Sequence, residues 1–271
     1  MLKNSEEKHL KLLENESIYI LREAYRTLQH PLILWSMGKD STVMLWLARK
    51  AFYGRIPIPI AHIDTSYKIP EMIQYRDTKS KEWGLDIHIS SNKAALAAGM
   101  HPSKGKIECC TALKTEALKT FLRENNFSTI FAAIRHDEEG SRGKEKIFSP
   151  RGLDSTWDYK EQAPELWNDF QTEFKNVEVR VHPILRWTEL DIWLYIKKNN
   201  IPVLDLYYAK NGRRYRSVGC APCTGMMESN ASSIDEIIEE LRQTKIGERA
   251  GRAQDQADNY AMQKLRAKGY M

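Results

Sequence analysis

Pro31-Leu32-Ile33-Leu34-Trp35-Ser36-Met37-Gly38-Lys39-Asp40-Ser41-Thr42-Val43-Met44-Leu45-Trp46-Leu47-Ala48 decides how this chain is read: a short apolar run, a polar hexamer, and a second apolar run. The first run is short enough for a buried strand, and the second continues at helical spacing. Strand, tight loop and helix in that order place backbone N–H groups and a helix N-terminus together, where they can converge on an anion. Ser36-Met37-Gly38-Lys39-Asp40-Ser41 is shorter than the Gly-x-x-x-x-Gly-Lys-Ser/Thr loop and lacks the Gly-x-Gly-x-x-Gly fingerprint. It reads as a phosphate site of a different design.

The same alternation extends outward. Before the loop, Leu10, Leu13, Ile18, Ile20, Leu21, Ala24 and Leu28 recur among charges, predicting an amphipathic helix over 6–29. After it come a strand at 58–63 ending in Asp64-Thr65, a helix at 71–82, a strand at 85–89, a helix at 111–125 and a strand at 128–134. That last strand ends in Arg135-His136-Asp137-Glu138-Glu139. Residues 140–176 read as irregular, 177–181 as a strand, and Thr188 with Asp191 as the capping box of a helix. The rest reads as loops with a helix at 233–243. Strands alternating with helices predict an α/β fold with a mostly parallel sheet flanked by helices. Residues 1–200 are expected to form the nucleotide-binding domain, and 201–271 an irregular C-terminal extension packing on the active site.

The 271 residues can bury a substantial core, and 42% hydrophobic with 28% charged residues is a globular balance. A net charge of +5, from 41 basic and 36 acidic residues, comes without a Lys/Arg block, so nucleic acid is not expected as a partner. The N-terminus is charged and lacks an apolar signal core, and no run of about 18 apolar residues occurs, so a cytoplasmic chain without a membrane span is expected. Arg135 and Arg142 flank three acidic residues directly after a buried strand and suit bidentate recognition of sulfate or phosphate. Asp64, at a strand end, can bind metal or ribose, or cap the next segment.

The hexamer resembles the loop of the PP-loop ATP pyrophosphatases, usually Ser-Gly-Gly-Lys-Asp-Ser, from which Met37 departs. The resemblance implies an adenine nucleotide α-hydrolase-like, Rossmann-like fold and a loop, Ser36 to Ser41 with Met37 and Gly38, that cradles the leaving pyrophosphate of ATP. Lys39 would neutralise developing charge, Ser36 and Ser41 would donate hydrogen bonds, and Asp40 would help hold Mg²⁺. His62-Ile63-Asp64-Thr65, Arg135-x-Asp137-Glu138-Glu139-x-Ser141-Arg142, Pro164-Glu165-Leu166-Trp167, Trp187-Thr188-Glu189-x-Asp191-Ile192-Trp193 and Glu228-Ser229-Asn230-Ala231 are similar to the small, ATP-splitting subunits of sulfate adenylyltransferase. That implies a nucleotidyltransferase that joins ATP and sulfate into adenosine 5′-phosphosulfate and pyrophosphate. It also implies a larger GTPase partner subunit that drives the uphill step. Lys39, Arg135 and Arg142 would be catalytic, with Arg135, Asp137, Arg142 and Arg216 at the oxyanion. A tRNA- or metabolite-thiolating enzyme, or a non-catalytic nucleotide-binding subunit, remains as an alternative, and self-association is left open.

All four cysteines fall in Cys109-Cys110 and Cys220-Ala221-Pro222-Cys223. Four thiolates suffice for zinc or an iron–sulfur cluster, and adjacent cysteines are awkward joint ligands of tetrahedral zinc. The arrangement is similar to assimilatory adenylylsulfate reductases, which implies a 4Fe-4S cluster. Residues 249–271 contain no further thiol, so reduction by that enzyme's route is not expected. Cys109 and Cys110, placed just before the helix near Thr111, are expected to meet Cys220 and Cys223 beside the nucleotide pocket.

Overall fold

The computed structural model describes residues 2–152, 154–157, 169–174, 177–249 and 261–270, the side chains of Ser141 and Ala261 excepted. Helix α1 (Asn4–Thr27) buries Leu10, Leu13, Ile20, Leu21 and Ala24 and leads into β1 (Pro31–Leu34) and α2 (Lys39–Ala51). Then come β2 (Ile60–Ile63), α3 (Pro70–Trp83), β3 (Ile87–Ser90), α4 (Lys93–Ala97), α5 (Lys106–Cys110), a π-helical turn (Thr111–Glu116) and α6 (Ala117–Glu124). Next are β4 (Thr129–Phe131), β5 (Phe148–Arg151), β6 (Glu178–Val181) and α7 (Glu189–Asn199). A short hairpin of β7 (Arg213–Arg214) and β8 (Met227–Glu228), then α8 (Ile234–Gln243) and α9 (Ala261–Ala267), complete the described elements.

The main sheet has the order β3-β2-β1-β4-β6-β5, parallel throughout except for β5 against β6. Register is set by pairs such as Ile33 with Ile60 and Leu32 with Ile130. Parallel central strands are covered on both faces, so they are apolar on both. One face carries Ile33, Ile60, Phe131 and Val181 under α1, α2 and α7. The other carries Leu32, Leu34, Ala61, Ile63 and Ile130 against Leu118, Phe121 and Leu122 of α6. Trp187 and Trp193 are core residues; Trp187 Nε1 donates to Ser17 Oγ, which donates to the Pro183 carbonyl and so fixes α1 on the turn before α7. The Thr188–Asp191 capping box forms as expected.

Two readings need correction. Within 140–176, taken as irregular, lies β5; its Phe-Ser-Pro-Arg sequence has no strand signature, and Pro150 is tolerated because the strand is at the sheet edge. Cys109 and Cys110 lie inside α5 rather than before a helix, and the predicted helix from Thr111 opens as a π turn continuous with it. Pro164-Glu165-Leu166-Trp167 falls outside the described residues.

Met37 also has a physical meaning that the sequence did not disclose. Its φ is 63°, a left-handed conformation natural to glycine, whereas Gly38 has φ −66° and needs no such freedom. The strain is tolerated because the Met37 side chain is buried in the core beneath α2. Left-handed strain costs about 1–2 kcal/mol, and deleting a buried methionine side chain costs about 2–5 kcal/mol. Packing therefore wins, and Met37→Gly is expected to lower stability by about 2 kcal/mol in urea unfolding with an unchanged m-value. A variant at least as stable as the parent would show that the side chain contributes nothing.

Candidate functional site

The strand order reverses direction between β1 and β4, and open α/β sheets bind ligands at the carboxyl ends of the strands beside such a switch. A cavity opens there, walled by Leu34, Trp35 and Ser36 after β1, Ala61, His62 and Ile63 of β2, and Ala132, Ala133 and Ile134 after β4. The C-terminal extension closes it with Tyr207, Val218, Glu248, Arg249 and Tyr270. One end is apolar and the other charged.

At the charged end the loop holds itself together. Ser36 Oγ and Ser41 Oγ are 3.0 Å apart, the Ser36 N–H donates to Ser41 Oγ, and Ser41 Oγ also reaches the Gly38 carbonyl. The Lys39 N–H donates to the Tyr207 hydroxyl at 2.8 Å, so a residue of the extension fixes the start of α2. The remaining first-turn amides have no intrahelical acceptor, as at any helix start, and leave an electropositive terminus facing the cavity.

Lys39 is 1% exposed, a buried cation rather than a solvated one. Its Nζ is 3.2 Å from Asp40 and 4.0 Å from Glu189, and it bonds directly to Glu248. Burial alone would lower the pKa of this ammonium, but the Asp40, Glu248 and Glu189 carboxylates together hold it above the usual lysine range. Arg135, also buried, donates from Nε to Asp40 at 2.7 Å and from its two other nitrogens to Asp137 and Glu248. Burial pushes the Glu248 carboxyl up to about 7 against the pull of Lys39 and Arg135.

The structure separates the expected anion-binding residues. Asp137 accepts the Glu189 N–H at 2.8 Å and positions the start of α7. Arg216 grips Glu189 with Nε at 2.9 Å and Nη2 at 2.7 Å, and donates Nη1 to the Ile246 carbonyl. Arg135, Asp137 and Arg216 lie outside the cavity wall and are engaged by protein groups, whereas Arg142 lines it. Arg142 is buried, its Nε stands 3.4 Å from Glu138, and its Nε and Nη1 have no hydrogen-bond partner among the described residues. Arg249 beside it bonds Glu138 at 3.0 Å and Glu139 at 3.1 Å. Against its burial, Glu138 is held well below the usual carboxylate range by Arg142 and Arg249. Asp64 does not line the cavity; it accepts the Ser66 N–H at 2.8 Å, and α3 starts later, at Pro70, without a side-chain cap from it.

The two cysteine pairs lie near enough to influence one another's charge, beside residues that line the cavity. Cys220 pairs across an isolated bridge with Lys68 and stands 3.1 Å from Thr65 Oγ1. Its thiol is drawn down to about 4 by a hydrogen bond with Cys223, with burial opposing and Lys114 and Lys68 assisting. Burial, Cys110 and Cys220 push Cys109 up to about 11, and Cys223 feels Cys110 as well as Cys220. The pairs from α5 and from the extension thus meet around Lys114, which with Lys68 also lines the cavity. Among the described residues no three His, Cys, Asp or Glu side chains converge tightly enough for one metal ion.

The phosphoadenosine phosphosulfate reductase domain model matches residues 30–226, most of the chain. The chain belongs to that family. Within the family it is 40% identical to sulfate adenylyltransferase subunit 2 of Maricaulis maris, with 97% of each chain covered. It is 42% identical to the protein of the same name from Geotalea daltonii, with 97% of this chain and 98% of that one covered. Solved structures share the fold at low identity. A phosphoadenylyl-sulfate reductase from Candida auris has a TM-score of 0.55 and 15% identity over 83% of this chain and 98% of that one. FMN adenylyltransferase of Candida glabrata with FAD and pyrophosphate has a TM-score of 0.61 and 17% identity over 92% and 80%.

In this member of the family, sequence reading missed His62 as a wall residue, the cations Lys68, Lys114 and Arg249, and Glu248. Glu248 carries no local signal, because its partners Lys39 and Arg135 lie 209 and 113 residues away along the chain. The network also changes what Lys39→Ala should do. Removing one partner of a buried ion pair leaves uncompensated charge and costs about 3–5 kcal/mol, so the variant is expected to melt well below the parent. An unchanged melting temperature would show that Glu248 and Glu189 are not held by Lys39.

Proposed function

We propose that this protein transfers the adenylyl group of ATP to sulfate, forming adenosine 5′-phosphosulfate and pyrophosphate. The reading is carried by its 40–42% identity, over 97% of its length, to proteins named sulfate adenylyltransferase subunit 2. A cavity that joins an apolar slot, a phosphate loop and a buried arginine with unpaired N–H groups supports it.

In this reaction a sulfate oxygen attacks the α phosphorus, the bond to the oxygen bridging to the β phosphate breaks, and pyrophosphate leaves with the electron pair. The protein's part is alignment and charge neutralisation. Lys39, Ser36, Ser41 and the start of α2 receive the pyrophosphate, with Gly38 and Met37 shaping the loop. Arg142 is the most direct candidate for sulfate, because it lines the cavity and its Nε and Nη1 make no hydrogen bond among the described residues. Arg135 and Arg216 act by holding Asp40, Glu189 and Glu248 in place, and Asp137 by fixing α7. Mg²⁺ is usually shared between one or two carboxylates and the substrate's phosphates. Asp40 fits that pattern, giving up a contact with Lys39 or Arg135, and the ion would neutralise the leaving pyrophosphate. Asp64, off the wall, is left to a turn-forming role.

The cysteines fit a cluster better than a single ion. A four-iron cluster takes one thiolate per iron, so its sulfurs stand further apart than ligands of one metal, and the four thiols here share one basic, largely buried corner. Cys109, Cys110, Cys220 and Cys223 would hold it and so join α5 to the extension. This corner also favours a second reading in which the acceptor is a sulfur-transfer substrate other than sulfate. The name subunit 2 among relatives supports a GTPase partner. Free cysteines and the absence, among the described residues, of a helix able to cross a membrane support a cytoplasmic site of action. We take 1–200 as the nucleotide domain and 201–271 as the extension that closes it.

With ATP, Mg²⁺ and a GTPase partner turning over GTP, pyrophosphate release is expected to require sulfate. Arg142→Ala is expected to raise the KM for sulfate about 10- to 100-fold, the loss of hydrogen bonds to a charged group, with ATP binding unchanged. Release that ignores sulfate but follows another acceptor would replace this reading with the sulfur-transfer one. Anaerobically purified protein is expected to be brown with about four irons per chain; colourless, fully active protein would remove the cluster.

A further inference from the structure

His62 is a residue of the cavity wall that the mechanism above does not use, and the only polar side chain of β2 there. It sits among Trp35, Ala61 and Ile63 at the apolar end and is 1% exposed. Its Nδ1 lies 3.1 Å from the Trp35 carbonyl oxygen. A carbonyl only accepts, so Nδ1 carries the proton. Burial, with Lys68 second, lowers the His62 pKa to about 4, so the ring is neutral and Nε2 is a bare acceptor. Nε2 is buried and has no hydrogen-bond partner among the described residues. A buried polar atom without a partner is costly, and one beside a ligand cavity is accounted for by a ligand that completes it.

The chemistry of that ligand follows from the atom. A neutral acceptor repels phosphate and sulfate oxygens, which excludes the charged end of ATP. What ATP offers as donors are the ribose hydroxyls and the exocyclic amine of adenine. Apart from Lys68, the strand-end residues that line the cavity with His62, Leu34, Trp35, Ala61, Ile63 and Ala132, are apolar or aromatic and suit a flat base more than a polyhydroxylated sugar. We propose that His62 Nε2 accepts a hydrogen bond from the adenine amino group and thereby selects the base. Guanine and hypoxanthine present a carbonyl at that position, so two acceptors would face each other, and a purine lacking the substituent would leave Nε2 unpaired. This inference rests on the ATP-dependent reading of the same cavity.

The test is equilibrium binding to the full chain, without turnover, of ATP, ITP, 2′-deoxy-ATP and purine riboside triphosphate. The parent is expected to bind ATP about 10- to 100-fold more tightly than purine riboside triphosphate or ITP, the cost of one unmade buried hydrogen bond. In His62→Leu that preference is expected to vanish, chiefly through weaker ATP binding, while 2′-deoxy-ATP tracks ATP in both proteins. His62→Gln, whose amide oxygen can accept in place of Nε2, is expected to keep part of the preference and guards against a variant that fails to fold. An unchanged preference in His62→Leu, an equal loss for every nucleotide, or a loss that follows the 2′-hydroxyl would each overturn the proposal. A parent that binds none of the nucleotides would instead sink the ATP-dependent reading itself.

Discussion

The site is organised by a buried exchange of charge between two cations and four carboxylates. Lys39 and Arg135 each reach Asp40 and Glu248, Arg135 adds Asp137, and Lys39 approaches Glu189. Its members come from four separate parts of the chain: the start of α2, the stretch after β4, the start of α7 and the tail beyond α8. Removing charges from water is costly, so each must find its partners for the others to stay. The phosphate loop is therefore not an isolated turn that happens to bind anions. It is one corner of a frame whose other corners fix the extension over the cavity.

That frame explains how much could be read in advance. β1, β2 and β4 are buried on both faces and announce themselves as apolar runs, β6 alternates valine with charged residues, and the Thr188–Asp191 box announces α7. The loop's residues were legible because their chemistry is local. Edge strand β5 was not, because Pro150 and two polar neighbours are permitted only by a position at the margin of the sheet. Arg135 and Arg216 looked like ligand-binding arginines, since a sequence displays the cation but hides the carboxylate, here Glu248 or Glu189, that satisfies it. Arg142 carries the same chemistry and pairs in charge with Glu138, yet its Nε and Nη1 make no hydrogen bond among the described residues. Only the fold distinguishes them.

The cysteine corner shows the same limit from the other side. Spacing along the chain pointed to a joint site, and the two pairs do influence one another across the edge of the cavity. The basic character of that corner was hidden. Lys114 lies on the π turn directly after Cys109 and Cys110, and Lys68 on the loop that pairs with Cys220. π turns often mark functional sites because the extra residue per turn redirects side chains. Here one carries the lysine that faces both the thiols and the nucleotide cavity.

The contact between Glu248 and Lys39 joins points 209 residues apart. Closing so long a loop costs conformational entropy and repays it only when the contact is made. During synthesis the sheet from β1 to β6 can therefore assemble while its two central cations still lack a partner that has not yet left the ribosome. Until then, Lys39 and Arg135 are short of one carboxylate, a deficit that an anion could make good. A nucleotide bound early would act as a template on which the tail later closes, making the substrate an assistant in the maturation of its own enzyme.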